Sequence, residues 1–221
     1  MDGVSLVMDA AAGAGTLALL RGDVLLAERS VVMKSEREER FLPAVIALLD
    51  EAGVPLHGCA RLVCGAGPGS FTSLRVVGAA AKGLAMGAGL PLFAVPSLAL
   101  IVAADDRTRH TGSRWLVTLD AMRDERYMAL LTIGAHEAIA TYESLGLAPA
   151  SEIASHAERL RATPIGPDES HAALPHARGA ARARALIAAT GPVDLATWEP
   201  VYGRLAEAQV KWEAAHGRPL G

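Results

Sequence analysis

Short apolar runs separated by turns marked with glycine and charge fill the first hundred positions. Residues 5–9 (Ser-Leu-Val-Met-Asp), 16–20 and 24–30 read as strands. Arg21-Gly22-Asp23, between the last two, is a hairpin turn, and its Arg-Gly-Asp string is ordinary turn chemistry rather than an adhesion signal. The period then changes. Ser35 and Glu38 fit a capping box, and Phe41, Leu42, Val45, Leu48, Leu49 and Ala52 recur at helical spacing. Pro43 should kink this helix or delay its start, and Gly53 ends it. A strand over 61–64, a glycine-rich turn over 65–69, a helix over 70–86, a strand over 90–95 and a helix from Pro96-Ser97 to about 104 follow.

Three antiparallel strands followed by crossover units predict a ribonuclease H-like α/β layer rather than a Rossmann or flavodoxin-like fold, which alternates strand and helix from the start. The polar stretch 105–113 reads as a linker to a second lobe. That lobe opens with a hairpin (115–120 and 127–133) around Met122-Arg123-Asp124-Glu125 and continues with helical patterns over 151–161 and 179–189. Residues 192–200 lead into a last helix, 205–215. The expected organisation is a first lobe over 1–104, joined by a C-terminal helix within 201–221, and a smaller second lobe over 105–200.

Composition narrows the class. Hydrophobic residues are 51% of the 221, too many for a disordered chain, yet no run of 18 apolar residues suggests a membrane helix. The start lacks a basic segment followed by a long apolar one, so no secretory signal is expected. Net charge is −3, against the basic surplus typical of a protein that grips a nucleic-acid backbone alone. Cys59 and Cys64 read as buried cytosolic thiols, and their odd spacing should point them to opposite faces of a strand.

The most specific chemical feature is Gly65-Ala66-Gly67-Pro68-Gly69-Ser70-Phe71-Thr72-Ser73-Leu74-Arg75. A glycine-rich turn entering a helix can cradle phosphate, but this one lacks the Gly-Lys-Ser/Thr ending of a P-loop and the third glycine of a dinucleotide fingerprint, and Pro68 removes an amide. A tight turn with Ser70 or Thr72 capping the helix competes with direct phosphate binding. Behind the turn, Leu74, Val77, Ala81 and Leu84 line one helix face, small residues such as Gly78 cover most of the rest, and only Arg75 and Lys82 are charged. Such a helix is covered on several sides, by this chain or by another. Metal chemistry has little support: His171 and His176 lie five apart with Pro175 between them, and neither zinc-type cysteine pairs nor His-Glu-x-x-His occurs. The Gly-x-Ser-x-Gly nucleophile elbow is missing too. Asp9, followed by Ala10-Ala11-Ala12-Gly13, reads as a remnant or a turn former.

Gly67-Pro68-Gly69-Ser70-Phe71-Thr72-Ser73-Leu74-Arg75, followed by Ala81-Lys82-Gly83-Leu84-Ala85, resembles the signature of the TsaB (YeaZ) family of bacterial tRNA threonylcarbamoyladenosine biosynthesis proteins. Weaker likenesses are Glu39-Arg40-Phe41-Leu42-Pro43, Pro96-Ser97-Leu98, Leu119-Asp120-Ala121-Met122-Arg123 and the tail Val201-Tyr202-Gly203-Arg204. The resemblance implies a two-lobed actin/Hsp70-like (ASKHA) fold and a cytoplasmic, non-catalytic subunit without a cofactor of its own. Such a subunit pairs with the catalytic paralogue TsaD and the ATPase TsaE, which carry the metal and ATP. TsaD threonylcarbamoylates the adenosine beside the anticodon of tRNAs reading ANN codons, so tRNA is met only through the complex.

The family packs its first two helices against TsaD or, in its absence, a second copy. This makes Gly67, Pro68, Gly69, Ser70, Phe71, Thr72, Leu74, Arg75, Gly78 and Lys82 the candidate motif and interface residues. Arg75 is expected to orient the motif by hydrogen bonds, and Phe71 to anchor it in the layer beneath. The stretch 34–39 has no counterpart of TsaD's metal-binding histidines. Ser73 replaces a usual glycine, and Asp9-Ala10-Ala11 replaces Asp-Thr-Ser. The rivals are an ASKHA-type kinase, which should keep two phosphate loops, an M22-like metallopeptidase, which should keep its histidines, and a free-standing tRNA-binding module.

Overall fold

The computed structural model describes residues 3–33, 40–203 and 216. Strands β1 (Val4–Asp9), β2 (Ala14–Arg21), β3 (Val24–Val32), β4 (Cys59–Gly65) and β5 (Leu92–Val95) form one sheet in the order β3-β2-β1-β4-β5. The first three strands are antiparallel neighbours, while β4 and β5 join in parallel, the ribonuclease H-like arrangement. All six residues of β1 are buried, as suits a central strand covered on both faces. The edge strand β3 is mostly exposed.

Helices α1 (Phe41–Glu51) and α2 (Phe71–Ala88) cover one face of this sheet, where Phe41, Val45 and Leu48 meet Val77, Ala81 and Ala85 over Leu6, Met8 and Leu62. Pro43 falls in the first turn of α1, where a missing N–H costs nothing, and the described helix starts at Phe41. On the other face lies α3 (Ser97–Ala104), buried along its whole length. It packs between Val7, Ala18 and Val63 of the first sheet and Trp115, Val117 and Leu131 of the second.

The second sheet has the order β10-β9-β6-β7-β8, from β6 (Arg114–Asp120), β7 (Glu125–Ile133), β8 (Ile139–Pro149), β9 (Thr163–Gly166) and β10 (His171–Ala172). Helix α4 (Ile153–Leu160) closes its outer face through Ile153 and Ala157 on Leu116 and Met128. The layering is helices, sheet, central helix, sheet, helix, which is the two-lobed ASKHA architecture.

Several elements differ from the sequence reading. The helix expected over 179–189 is a 3₁₀ turn (Ala177–Ala181) followed by α5 (Arg184–Thr190), and the one over 151–161 is shortened to α4 behind a 3₁₀ turn. Of residues 177–200, grouped by sequence with the second lobe, the 3₁₀ turn lies against β1, β2 and β3, α5 lies against both β5 and β8, and Val193, Leu195 and Trp198 join the α1/α2 layer. Cys59 and Cys64 are free and buried but share one face, because a register shift skips Ala60 between Cys59 and Arg61 and restores the alternation. The capping box of Ser35 and Glu38, the stretch 34–39 and the helix expected over 205–215 lie outside the described residues.

Candidate functional site

The glycine-rich turn leaves β4, next to the central strand β1, and enters α2, and several of its polar groups are engaged within the chain. Ala66 N–H donates to Val95 O (2.7 Å), Gly67 N–H to Ser97 Oγ (3.0 Å) and Ser70 N–H to Ala11 O (2.8 Å). Ser97 N–H in turn donates to Gly67 O (2.9 Å). Asp9 sits beneath, fully buried, with its carboxylate accepting from Ser97 Oγ (2.5 Å) and Ala11 N–H (3.0 Å). Burial pushes the Asp9 carboxyl up from its ordinary range, and these two donors pull it partly back. Asp9 thus holds the turn that follows β1 and ties it to α3, as expected of a turn former.

Close approach dictates the glycines. A Cβ on Gly65 would lie 1.8 Å from Asp9 Oδ1, and one on Gly67 (φ +82°) would lie 2.2 Å from Val201 O. The peptide between Gly67 and Pro68 is cis. Three amides of the turn, those of Ala66, Gly67 and Ser70, are thus spent on Val95, Ser97 and Ala11, as in a tight turn.

Capping differs from expectation. Ser70 occupies the N-cap of α2, but its hydroxyl donates to Ser73 Oγ (3.1 Å) and makes no cap to a helix amide. Thr72 is exposed in the first turn. Leu74 is fully buried in the central core. Phe71 is half-buried with its ring 4.6 Å from that of Tyr202, and the exposed Arg75 places its guanidinium over the Phe71 ring (5.4 Å).

The tail accounts for part of the missing polar face of α2. Val193 N–H donates to Leu92 O (2.8 Å) at the edge of β5, and the chain then crosses to α2. There Lys82 Nζ donates to Trp198 O (3.0 Å), and Pro200 packs so tightly on Gly78 that an added Cβ would lie 2.9 Å from its Cγ. Val201 N–H donates to Ala66 O (2.7 Å), and Tyr127 of β7 donates its hydroxyl hydrogen to Tyr202 O (3.1 Å). Residues 198–203 therefore strap α2 and the glycine-rich turn to the second sheet. Gly78 and Lys82 serve this internal contact, a role that helical periodicity alone could not reveal.

The remaining face of α2 is open. Thr72, Val76, Ala79, Gly83 and Met86 recur at spacings of four and three and are all exposed, Met86 at 69%. On α1, Leu42 and Ile46 are exposed one turn apart, Ile46 at 59%. Both helices ride on the same sheet face, and each presents exposed apolar or small residues on its outer side. Among the described residues, no group of three or more His, Cys, Asp or Glu side chains could hold a metal, and no helix is long and apolar enough to cross a membrane.

The sequence model of the tRNA N6-adenosine threonylcarbamoyltransferase family (TsaD) matches residues 32–162. The tRNA threonylcarbamoyladenosine biosynthesis protein TsaB of Bacillus subtilis is 33% identical over 114 residues, covering 52% of this chain and 48% of that protein. Its Escherichia coli namesake is 37% identical over 94 residues, covering 42% and 40%. The chain thus spans about half the length, or less, of these curated relatives. A Pseudomonas aeruginosa crystal structure described as similar to the peptidase YeaZ superposes with a TM-score of 0.73 at 25% identity, over 91% of this chain and 100% of that one. YeaZ from the same organism superposes with a TM-score of 0.67 at 24% identity, over 90% and 99%, a likeness of fold. With one family model matching more than half of its length, TsaB proteins among its relatives and a YeaZ fold over nearly all of it, the chain belongs to the TsaD family of tRNA threonylcarbamoyladenosine proteins, in its TsaB (YeaZ) group.

Proposed function

We propose that this chain is a non-catalytic, cytoplasmic scaffold subunit in tRNA threonylcarbamoyladenosine biosynthesis. It presents α1 and α2 to a TsaD-type catalytic paralogue, and a TsaE-type ATPase joins the pair. In the paralogue's absence, the same face pairs two copies. The observation that carries this reading is the open apolar stripe on α1 and α2, centred on Ile46, Val76 and Met86. Small residues at Ala79 and Gly83 let a partner helix approach closely there. The internal use of the Ala66, Gly67 and Ser70 amides supports a subunit that leaves ATP to its partners, and the −3 charge supports contact with tRNA through the complex.

The test is a threonylcarbamoylation assay reconstituted from TsaC-, TsaD- and TsaE-type proteins of one organism, with and without this chain. Modification should require the chain, which should show no turnover alone. Met86→Asp, which leaves the strap contacts in place, should weaken binding to the paralogue at least about 10-fold. Modification at an equal rate without the chain would sink the scaffold reading. Micromolar binding of ATP or zinc by the isolated protein would instead favour the kinase or peptidase reading.

A further inference from the structure

The turn joining β6 and β7 holds three successive non-glycine residues in the left-handed region: Met122 (φ +62°), Arg123 (φ +55°) and Asp124 (φ +59°). L-residues avoid this region because Cβ crowds the following carbonyl oxygen, and they visit it singly rather than in runs. The surroundings enforce it. Ala121 N–H donates to Glu125 O (2.9 Å), Glu125 N–H to Met122 O (3.1 Å), Met122 N–H to Asp120 Oδ1 (3.1 Å) and Ala150 N–H to Asp124 O (2.8 Å). The tip is thus braced both by its own strands and by the end of β8.

What this brace achieves is display. Ala121 plugs the central core, while Met122 is 71% exposed with Arg123 and Asp124 exposed beside it. A hairpin needing only to turn has cheaper choices, and backbone held in sparsely populated regions gathers at binding sites. Methionine adapts to apolar pockets and is enriched in interface cores. Charge separates the partner classes. Among the described residues, the carboxylates of Asp120, Asp124 and Asp168 stand around the tip against the guanidiniums of Arg123 and Arg126, with Arg126 bridging Asp120 and Asp168 (3.1 Å each). This surplus of carboxylate repels a phosphate backbone and suits a protein surface with a basic rim.

We propose that the β6–β7 tip is a second docking point, separate from the α1/α2 stripe, at which a partner protein takes Met122 into an apolar pocket ringed by basic residues. Two residues along β7 from Glu125, Tyr127 holds Tyr202 against Phe71, so the tip stands by the strap and the start of α2. A protein seated there contacts the end of the molecule where residues 198–203 tie α2 to β7.

The proposal uses the scaffold reading only for its probes, the TsaD-type paralogue and the TsaE-type ATPase. Affinities for each protein alone, for both together and for tRNA are measured with wild type, Met122→Ala, Arg123→Glu and, as a control on the other face, Met86→Asp. Expected are a loss of about 10-fold for one protein partner with Met122→Ala, a gain of about 2-fold with Arg123→Glu, and unchanged melting temperatures for both. Protein affinities within 2-fold of wild type for both tip variants overturn the proposal; if Met86→Asp still abolishes paralogue binding, the scaffold reading stands without it. A loss confined to tRNA, or a loss of binding with Arg123→Glu, also overturns it, in favour of an RNA contact.

Discussion

Replacing Arg182 with alanine tests how the central helix is held. α3 is buried along its whole length, so the carbonyls at its C-terminus cannot turn to bulk water. Arg182, from the loop before α5, reaches that end with its whole guanidinium. Its Nη1 donates to Val102 O (3.2 Å), Ala103 O (3.2 Å), Asp105 O (3.1 Å) and Thr108 Oγ1 (3.0 Å), its Nη2 to Thr108 O (3.2 Å) and its Nε to Glu137 O (2.7 Å). Val102 O also accepts from Asp105 N–H (3.3 Å) and Asp105 O from Thr108 N–H (3.2 Å), so they keep a partner without Arg182. Three carbonyls then lean mainly on Arg182: those of Ala103, Thr108 and Glu137. A buried acceptor left alone costs about 1–3 kcal/mol, and because Arg182 is half-buried its vacated space admits water, so the low end applies. The expected loss is about 3 kcal/mol. With an m-value of about 3 kcal/mol/M in urea, the midpoint should fall by about 1 M. Arg178, which donates to Ala104 O from Nε and Nη2 (both 3.3 Å), serves one carbonyl at the same end, and Arg178→Ala should cost about 1 kcal/mol. Losses that are equal for the two variants, or larger for Arg178→Ala, would refute the carbonyl-by-carbonyl reasoning.

Gly65→Ala must break the Asp9–Ser97 hydrogen bond, because its Cβ would lie 1.8 Å from Asp9 Oδ1; insolubility or a fall in melting temperature of about 10 °C is expected by thermal scanning. Burial holds the His176 imidazole below its ordinary pKa of 6.5, against the pull of Glu28 and helped by Arg178. The unfolded chain then binds the proton more readily, so this contribution is present above pH 6.5 and is lost as pH falls through the lower, folded-state value. His176→Gln should flatten that part of a denaturation series between pH 5 and 7.5. Burial raises both thiols, and Asp9 raises Cys64 further, so a thiol reagent at pH 8 should titrate neither cysteine in the native protein and both in urea.

The first sheet was legible because its strands are buried on one or both faces and their apolar runs are bounded by turns; β1 and β4 stand out for this reason. β8 leaves little trace in the sequence because it is an edge strand with few inward positions, and Ile139 and Ala148 alone of its 11 residues are buried. Its burial carries no period to detect. The pairing face of Cys59 departs from simple alternation, which presumes an unbroken register, because the shift opposite Val4 and Ser5 breaks it. The helix over 179–189 failed on packing. Gly179 lies against Leu100 O, and Arg182 turns inward to the end of α3, so the chain bends where its residues alone favour continuation.

The candidate site shows the same limit more sharply. Its glycines were visible as a motif, but the reason for them lies in segments remote in sequence: Asp9 against Gly65, Val201 against Gly67 and Pro200 against Gly78. No periodicity within α2 can say which of its apolar faces the tail will cover. The strap decides that. It takes Gly78 and Lys82 for the chain itself and leaves Val76, Ala79, Gly83 and Met86 exposed. The strap also ends on Tyr127, on the strand that carries the tip at Met122. Through residues 198–203, the open face of α2 and the β6–β7 tip are therefore held in one fixed relation, as the proposed scaffold role requires.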